Sequence, residues 1–436
     1  MKRAFFLTLL ALACGDDAKT VPAPAAHPPA APPQDDPNFT IAAKSWLMAG
    51  DGLTPKDDSW DVVVGAPAGT GFVDLWIDDT PGVRLTANPD GTFHVAVPAP
   101  AVGEHTVIFG ADGADPGFAT RALHVTHALY TVVSTDWDDS DNPDANYQRM
   151  DQLRINHPQL VMTQFFGPYV ITDTAVVAAR RASNIAYMKK QHDMYGDEIG
   201  VHIHPWCSFV SATPVPCRTM PSSTMPMGDS TGYMVFFSSY TTDEQVQLLQ
   251  SATQLFMDNG LGRPTSFRAG GWLADLTTVD ACNRAGYTVE SSAFPPQTIQ
   301  AAWPNTLLAS WTAQHWNMIT QTSQPYYPSM MDIQHPTPAP DYPVLEVPDN
   351  GTLVDYMTTQ AMLDVLHMNW PDGKALAQPT VFQVGFHPPS FNQFYYPRLD
   401  GALAEVDKHL SKDDGGPMRY ARLVDLKQVM IWSAPQ

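Results

Sequence analysis

The sequence predicts an α/β fold for residues 128–436 and a small all-β sandwich before it. Continuous apolar segments typical of buried strands, such as 128–135 and 159–166, alternate with stretches of helical periodicity. Regular alternation of strand and helix favours an α/β layer fold, and a parallel barrel is one of its common closures. On the N-terminal side, short runs with a period of two residues are separated by turn signals, which is typical of antiparallel sheets.

The length of the chain indicates two folded units, and its net charge argues against polyanionic partners. The chain has 436 residues, more than a single hydrophobic core usually contains. Its 45 acidic and 24 basic residues give a formal charge of −21. This charge would repel nucleic acid and anionic membrane surfaces, so neither is expected as a partner. We expect a monomer.

The first residues predict export. Lys2 and Arg3 precede an apolar run, residues 4–13, that is too short to span a bilayer and ends at Cys14. The sequence A-L-A-C resembles a bacterial lipoprotein signal. That resemblance implies that residues 1–14 direct export to the cell envelope and that lipid on Cys14 is the only membrane contact; ordinary secretion is the alternative. Residues 15–37, rich in Ala, Pro and Asp, predict an unstructured linker.

Residues 38–127 predict an antiparallel β-sandwich. The runs at 72–78, 92–97 and 105–110 alternate apolar and polar residues, and P-D-G marks a turn between the first two. This segment resembles a bacterial immunoglobulin-like module. No cluster of aromatic residues stands out in it, so a spacer role is favoured over carbohydrate binding.

Helices and loops follow in the C-terminal part. Helical stretches are predicted at 147–155, 173–195, 243–259 and 276–284, with Thr242 as the N-cap of the third and Gly260 as its stop. The segment 294–341, rich in Pro, Gln, Trp and Tyr, predicts loops over one face of the domain.

The cysteines predict one disulfide. In an exported protein disulfides are favoured, and Cys207 and Cys217 bracket a short loop rich in Pro, Ser and Thr. Cys282 lies in a predicted helix and is expected to be a buried free thiol.

Four groups of polar residues occur where predicted strands end. His202 and His204 are two residues apart and share a face of an extended strand, as do Asp136 and Asp138 if their strand continues. Arg268 lies at a glycine-rich turn, and His387 ends an apolar strand. Since α/β folds assemble sites at one edge of the sheet, these groups predict a hydrolytic site. Taken alone, the histidine pair could equally be packing residues.

The candidate site residues named above occur in four motifs: S-T-D-W-D-D, E-I-G-V-H-I-H, F-R-A-G-G-W and V-F-Q-V-G-F-H. In this order, residues 128–436 resemble the polysaccharide deacetylase family, the NodB-homology domain of carbohydrate esterase family 4. The resemblance implies a distorted parallel (β/α) barrel and a metal-dependent hydrolase that removes N-acetyl groups from an amino-sugar glycan. It implies one divalent ion, zinc in the first place, with cobalt and manganese as alternatives.

The resemblance also implies roles for individual residues. The general base would be Asp136, the metal ligands Asp138, His202 and His204, the residue that orients the base Arg268, and the general acid His387. The chain departs from the family pattern in two places: D-W-D-D replaces D-D-G, and Trp206 stands where the family has its second histidine. The first departure leaves the roles of Asp136, Asp138 and Asp139 open, and the second leaves His204 as a ligand inferred from strand geometry.

Two other functions compete with this one. The first is a lipid-anchored glycan-binding protein on a deacetylase scaffold that has lost turnover. The second is a serine esterase in which Ser230, within G-D-S-T-G, acts with Asp349 and His387. For a carbohydrate substrate, sugar rings could stack on aromatic residues, although packing in the core or in loops is favoured for each of them taken singly. These residues are Trp137, Trp206, Trp272, Tyr326, Tyr327, Tyr395 and Tyr396.

Overall fold

The protein is described here by a computed structural model. It describes residues 23, 35–78, 80, 82–113, 117–219 and 236–433. The predicted export signal with Cys14, most of the linker and Ser230 lie outside the described residues.

The N-terminal strands are short and mostly antiparallel. Strand β4 pairs antiparallel with β5 and β7, and β1 pairs antiparallel with β3. Strand β2 pairs with β8 in parallel. These strands are β1 (Thr40–Ala43), β2 (Trp46–Met48), β3 (Ser59–Gly65), β4 (Phe72–Ile77), β5 (Val83–Thr86), β6 (Thr92–Pro98), β7 (Gly103–Ala111) and β8 (Ala119–Thr126).

The chain divides into two compact units. The first contains Met1–Ala43, Asp61–Val95 and Thr106–Arg121, and the second contains Lys44–Trp60, Ala96–His105 and Ala122–Gln436. The predicted sandwich strands at 72–78, 92–97 and 105–110 correspond to β4, β6 and β7. The immunoglobulin-like class and the boundary between residues 127 and 128 stay predictions.

The second unit contains an eight-stranded parallel sheet. Its strands are β9 (Leu129–Asp136), β10 (Met162–Phe166), β11 (Glu198–Ile203), β12 (Ser266–Ala269), β13 (Val289–Glu290), β14 (Leu345–Glu346), β15 (Thr380–Phe386) and β16 (Met418–Tyr420). Seven of them follow the order β14-β13-β12-β11-β10-β9-β15, and β16 also pairs with β9. The predicted α/β class is therefore confirmed.

The sheet curls back on itself through the chain that follows β14. Gly351 N donates to Gln383 O at 2.8 Å, and Gly385 N donates to Thr352 O at 2.9 Å. Both partners, Gln383 and Gly385, belong to β15, at the other end of the strand order. This arrangement is consistent with a distorted barrel.

Helices alternate with these strands. They are α1 (Asp144–Asn156), α2 (Tyr169–Thr172), α3 (Ala178–Tyr195), α4 (Cys207–Val210), α5 (Thr242–Asp258), α6 (Leu276–Ala285), α7 (Pro296–Ala302), α8 (Leu307–His315), α9 (Thr359–Asn369) and α10 (Tyr396–Lys408).

Two helix predictions are corrected. The helix predicted at 173–195 begins only at Ala178, because residues 173–177 form a turn between α2, which ends at Thr172, and α3. The N-cap of α5 is Thr241 rather than Thr242, because the Thr241 hydroxyl accepts from the Glu244 amide and the Glu244 carboxylate accepts from the Thr241 amide. Such a reciprocal pair satisfies two backbone donors at the start of the helix.

The prediction of loops throughout 294–341 is wrong, because this segment contains α7 and α8. The side chain of Thr306 accepts from Ala309 N at 3.2 Å and caps α8. The sequence of α8, L-L-A-S-W-T-A-Q-H, mixes polar and apolar residues without a clear helical period, so its pattern did not reveal the helix.

The cysteine predictions are confirmed. Cys207 and Cys217 form a disulfide with a Cα–Cα distance of 5.5 Å, and Cys282 is a buried free thiol. Among the described residues there is no helix long and apolar enough to cross a membrane.

Candidate active site

The predicted site residues meet at the carboxyl ends of the parallel strands. Asp136 is the last residue of β9, His202 lies in β11, and Arg268 lies in β12. His204 and His387 directly follow β11 and β15. Because parallel strands end at the same edge of a sheet, residues from distant parts of the chain become neighbours there.

Three of these residues form a group that can hold a cation. His202 Nε2 lies 3.0 Å from Asp138 Oδ1, and His204 Nε2 lies 3.2 Å from the same oxygen. One ligand atom from each of the three residues falls within 4.8 Å of the others. Two imidazole nitrogens and one carboxylate oxygen are a donor set that zinc accepts, and they leave coordination positions open.

The tautomer of His202 supports a cation at this point. His202 Nδ1 lies 3.1 Å from the Arg268 carbonyl oxygen, which can only accept a hydrogen bond, so Nδ1 carries the proton. In neutral His202 the Nε2 lone pair then faces a carboxylate oxygen. This contact requires a second proton or a metal ion, and a histidine fixed through its other nitrogen is the usual arrangement around metals. The three residues therefore fit a divalent ion.

The protonation states agree with this fit. Burial raises the pKa of Asp138, but the neighbouring His387 and His204 outweigh burial and hold the pKa well below its usual value. Burial lowers the pKa of His204, which favours the neutral imidazole that binds metals.

Asp136 is held by Arg268, and the two aspartates differ in their partners. Arg268 Nη1 donates to Asp136 Oδ1 at 2.9 Å and to Ser134 Oγ at 3.1 Å. The Nε and Nη2 groups of Arg268 donate to the carbonyl and the hydroxyl of Ser291. Both charged side chains are almost completely buried. Asp136 is thus paired with a buried cation, while Asp138 faces the two histidines.

A second carboxylate, Asp349, lies on the same arginine. Its Oδ2 is 3.4 Å from Arg268 Nη1 and accepts from Trp272 Nε1 at 3.1 Å. Burial raises the pKa of Asp349 to about 6, although Arg268 opposes the shift. Asp349 is therefore an ion-pair partner of Arg268. It is not the carboxylate bound to His387 that a serine esterase would need.

His387 is held by Asp355, a residue that the sequence did not reveal. His387 Nδ1 lies 2.9 Å from Asp355 Oδ2, and the Ser390 hydroxyl donates to the other carboxylate oxygen of Asp355. His387 Nε2 lies 3.4 Å from Asp138 Oδ2. Burial lowers the pKa of His387, but Asp138 and Asp355 outweigh it and raise the pKa to about 10. A cation on Asp138 would cancel part of that attraction and lower the pKa again.

Close packing explains two glycines near these residues. A Cβ at Gly200, in the E-I-G lead-in, would lie 2.5 Å from Ser266 Oγ. A Cβ at Gly270 would lie 2.5 Å from His204 Nδ1. Gly270 thus lets the turn after Arg268 pass directly against the His204 ring.

The site opens into a cavity of about 540 Å³. The carboxylates and histidines form one part of its lining, and an apolar wall forms another. The main residues of this wall are Trp206, Phe236, Trp303, Leu307, Leu308 and Trp311. A cavity of this size is in the range of small-molecule sites, and four of these residues belong to the segment that contains α7 and α8.

Only some of the aromatic residues proposed for sugar stacking line this cavity. Trp206 and Trp272 do. Trp137 is completely buried, with its ring 5.2 Å from that of Phe166, so it is a core residue, as the packing alternative predicts. The lining includes none of Tyr326, Tyr327, Tyr395 and Tyr396. Trp303 and Trp311, which the sequence did not indicate, also line the cavity.

Comparison with known proteins gave weak similarities. No family model matches the chain, and no curated protein matches it. A protein from Mycobacterium smegmatis, described as a polysaccharide deacetylase, is similar at 13% identity and a TM-score of 0.41, over 71% of this chain and 93% of that one. A family 4 carbohydrate esterase from Streptomyces lividans in complex with acetate gives 13% identity and a TM-score of 0.30, over 64% and 90%. Peptidoglycan deacetylase PdaC from Bacillus subtilis gives 10% identity and a TM-score of 0.32, over 70% of this chain and 91% of that one.

Proposed function

We propose that the protein is a metal-dependent hydrolase that removes N-acetyl groups from an amino-sugar glycan, as a polysaccharide deacetylase of the NodB-homology type. The observation that carries the proposal is the convergence of His202 and His204 on Asp138 Oδ1, beside the Asp136–Arg268 pair and His387. This arrangement combines a metal-ligand group, a positioned carboxylate and a histidine in one cavity.

The ligands would be Asp138, His202 and His204, and the ion zinc, or else cobalt or manganese. When bound, such an ion supplies Lewis acidity, which polarises an acyl oxygen and makes a water molecule more acidic. The Arg268 carbonyl fixes the ring of His202, and His202 Nε2 already lies 3.0 Å from Asp138 Oδ1. These side chains therefore need little rearrangement to bind the ion.

Asp136 takes the proton from the attacking water. It lies in the lining of the cavity, and its ion pair with Arg268 fixes its orientation. The four other hydrogen-bond and ion-pair contacts of the guanidinium, to Ser134, Ser291 and Asp349, prevent Arg268 from turning away.

His387 gives a proton to the departing amine. Its Nδ1 is bound to Asp355, so the proton to be transferred is on Nε2, the atom that faces Asp138 and the cavity. Water thus adds to the acyl carbon, the C–N bond breaks, and the products are a carboxylate and a free amine.

The N-terminal parts of the chain fit a role at the cell envelope. We propose that residues 1–14 are a lipoprotein signal, that Cys14 carries the lipid anchor, and that 15–37 is the linker. An immunoglobulin-like module at 38–127 would act as a spacer that carries the catalytic domain, 128–436, away from the membrane. The exported location agrees with the disulfide between Cys207 and Cys217.

An acetate-release screen tests the proposal. The zinc-loaded protein would be incubated with chitin oligomers, peptidoglycan, an acetylated exopolysaccharide and a small N-acetyl amine. We expect acetate from at least one amino-sugar substrate, and loss of activity in Asp136→Asn with the metal still bound. Bound metal without acetate release would favour the glycan-binding alternative, and activity that resists chelators would favour a serine esterase.

A further inference from the structure

We propose that the cavity accepts N-acyl groups considerably longer than acetyl, with the acyl chain lying along a strip formed by Leu307, Leu308, Trp311 and Phe236. We refer to these four residues as the α8 strip. The inference rests on the proposed function, since it concerns the substrate of the same site. It extends the substrate class from N-acetyl groups to amino sugars or amines that carry a fatty or aromatic acyl group.

The first step is that the two oxygens of Asp138 face different sides of the site. Oδ1 faces His202 and His204, and Oδ2 faces His387. If His387 protonates the leaving amine, the amine lies on the Oδ2 side. The remaining substituent of the acyl carbon then points away from His387.

The second step is that the α8 strip begins beside His204. The turn at Gly270 passes directly against the His204 ring, and the next residue, Gly271, is close to α8. A Cβ placed on Gly271 would lie 3.5 Å from Leu308 Cδ1. The glycine turn therefore lies against the His204 ring on one side and near Leu308 on the other, which places the start of the α8 strip next to the metal-ligand group.

The third step is the chemistry of the strip. Helix α8 turns Leu307, Leu308 and Trp311 toward the cavity, and the ring of Trp311 packs edge-to-face on Phe236 at 4.3 Å. Leu307 is 39% exposed, so the strip continues from the cavity to the surface. The only polar group on these four side chains is one indole N–H. Sugar hydroxyls would lose water here without gaining partners, whereas methylene groups gain about 0.8 kcal/mol each on burial.

The part of the cavity lining near His387 suits the sugar. Trp303 is 42% exposed and its ring is 4.8 Å from that of Tyr356, which in turn is 6.3 Å from the ring of His387. The cavity lining combines these aromatic rings, which offer a stacking face, with the carboxylates of Asp355 and Asp139, which accept hydrogen bonds. The amine side of the substrate therefore has polar partners, while the acyl side has apolar ones.

A series of N-acyl glucosamines tests this inference on the zinc-loaded full chain. With acetyl, butanoyl, hexanoyl and octanoyl groups on the same sugar, we expect kcat/KM to rise roughly 3- to 4-fold for each methylene that contacts the strip. Leu307→Gln, at a partly exposed position that should not disturb folding, should lower the ratio of octanoyl to acetyl hydrolysis at least about 10-fold, and Leu308→Ala should lower it as well.

Met318→Gln is the matched control. Met318 lies just beyond α8, is 54% exposed and is not part of the cavity lining. The same loss of apolar surface there should leave the octanoyl to acetyl ratio at its wild-type value. If Met318→Gln and Leu307→Gln lower the ratio equally, the strip is not the acyl site.

Calorimetry gives a readout that does not depend on turnover. Octanoate should bind to the zinc-loaded protein at least about 10-fold more tightly than acetate, and Leu307→Gln should reduce this difference. Equal affinities would overturn the inference. Acetate release with no preference for longer chains would also overturn it while leaving the proposed function intact. If no amide is hydrolysed, the proposed function fails and the calorimetry alone decides the inference.

Discussion

Asp355 Oδ2 lies 2.9 Å from His387 Nδ1 and fixes the ring so that Nε2 faces the cavity. The two residues are 32 positions apart in the sequence and come from different parts of the second unit. The proposed general acid thus depends on a carboxylate that was not among the predicted site residues. This dependence can be measured.

We predict that Asp355→Asn lowers kcat roughly 10- to 100-fold and changes its pH dependence, since general acid catalysis contributes about 10²- to 10⁴-fold and part of it would remain. Asp355 is one of the carboxylates that raise the pKa of His387, after Asp138. Without its charge the pKa falls, so protonated His387 is lost at a lower pH and the high-pH limb of the kcat profile moves to lower pH. Stopped assays from pH 6 to pH 11 would show this. A lower kcat with an unchanged limb would contradict the assignment.

We predict that Arg268→Met abolishes activity and destabilises the fold by about 3–5 kcal/mol, because it leaves the buried Asp136 and Asp349 without their cation. The measurements are acetate release and urea unfolding.

The metal content of Arg268→Met distinguishes the loss of the Asp136–Arg268 ion pair from a general disruption of the site. Arg268→Met should still bind one zinc ion, because His202 uses only the backbone carbonyl of residue 268. Arg268→Lys should recover part of the stability and less of the activity, since lysine cannot reproduce the forked contacts. Full activity in either variant would show that Asp136 does not need this partner.

We predict that Asp349→Asn changes stability in a pH-dependent way. Burial raises the folded-state pKa of Asp349 to about 6, above its unfolded value near 3.8. The protonated form is therefore favoured by folding, and stability falls as the pH rises from about 4 through about 6. The asparagine removes this loss, so the variant should gain about 1–3 kcal/mol relative to wild type between pH 4 and pH 8.

Urea unfolding of both proteins in a chelator, at pH 4 and at pH 8, measures this difference without contributions from metal binding. The comparison with wild type cancels the titration of the other carboxyl groups. A stability difference that is the same at both pH values would contradict the raised pKa of Asp349.

We predict that the disulfide stabilises the chain just after the metal-ligand strand. Cys207 and Cys217 are ten residues apart and close a short loop that begins three residues after His204. Replacing both by serine should cost about 2–3 kcal/mol, mainly because the unfolded chain becomes freer. Thermal unfolding under oxidising conditions measures the loss, and wild type with a reductant is the matched comparison. An unchanged midpoint would show that the bridge contributes nothing.

Much of the fold and of the site could be predicted because local pattern carried the information. Continuous apolar runs predicted β9, β10 and β15. Asp136 and His387 were recognised as site residues because they are polar and occur where two of these runs end. The alternation of side chains along a strand also placed His202 and His204 on one face. The chain after β9 is no longer extended at Asp138, yet the turn brings this residue back to the histidines.

Other parts of the site depend on tertiary contacts that no local pattern records. Asp349 and Asp355 both lie in the irregular chain after β14. Only the packing of this chain against β12 and β15 brings Asp349 to Arg268 and Asp355 to His387. Trp311 belongs to a helix without a clear apolar face, so neither the helix nor its contribution to the cavity could be foreseen.

The central claim, a single metal ion held by Asp138, His202 and His204 that is needed for amide hydrolysis, can be tested by zinc titration. Chelator-treated protein is titrated with zinc while acetate release from an acetylated chitin oligomer is followed, with His204→Ala in parallel. The account predicts no acetate without zinc, activity that saturates at about one equivalent, and a much weaker response in His204→Ala. Acetate release that is independent of zinc, or that saturates identically in His204→Ala, would contradict it.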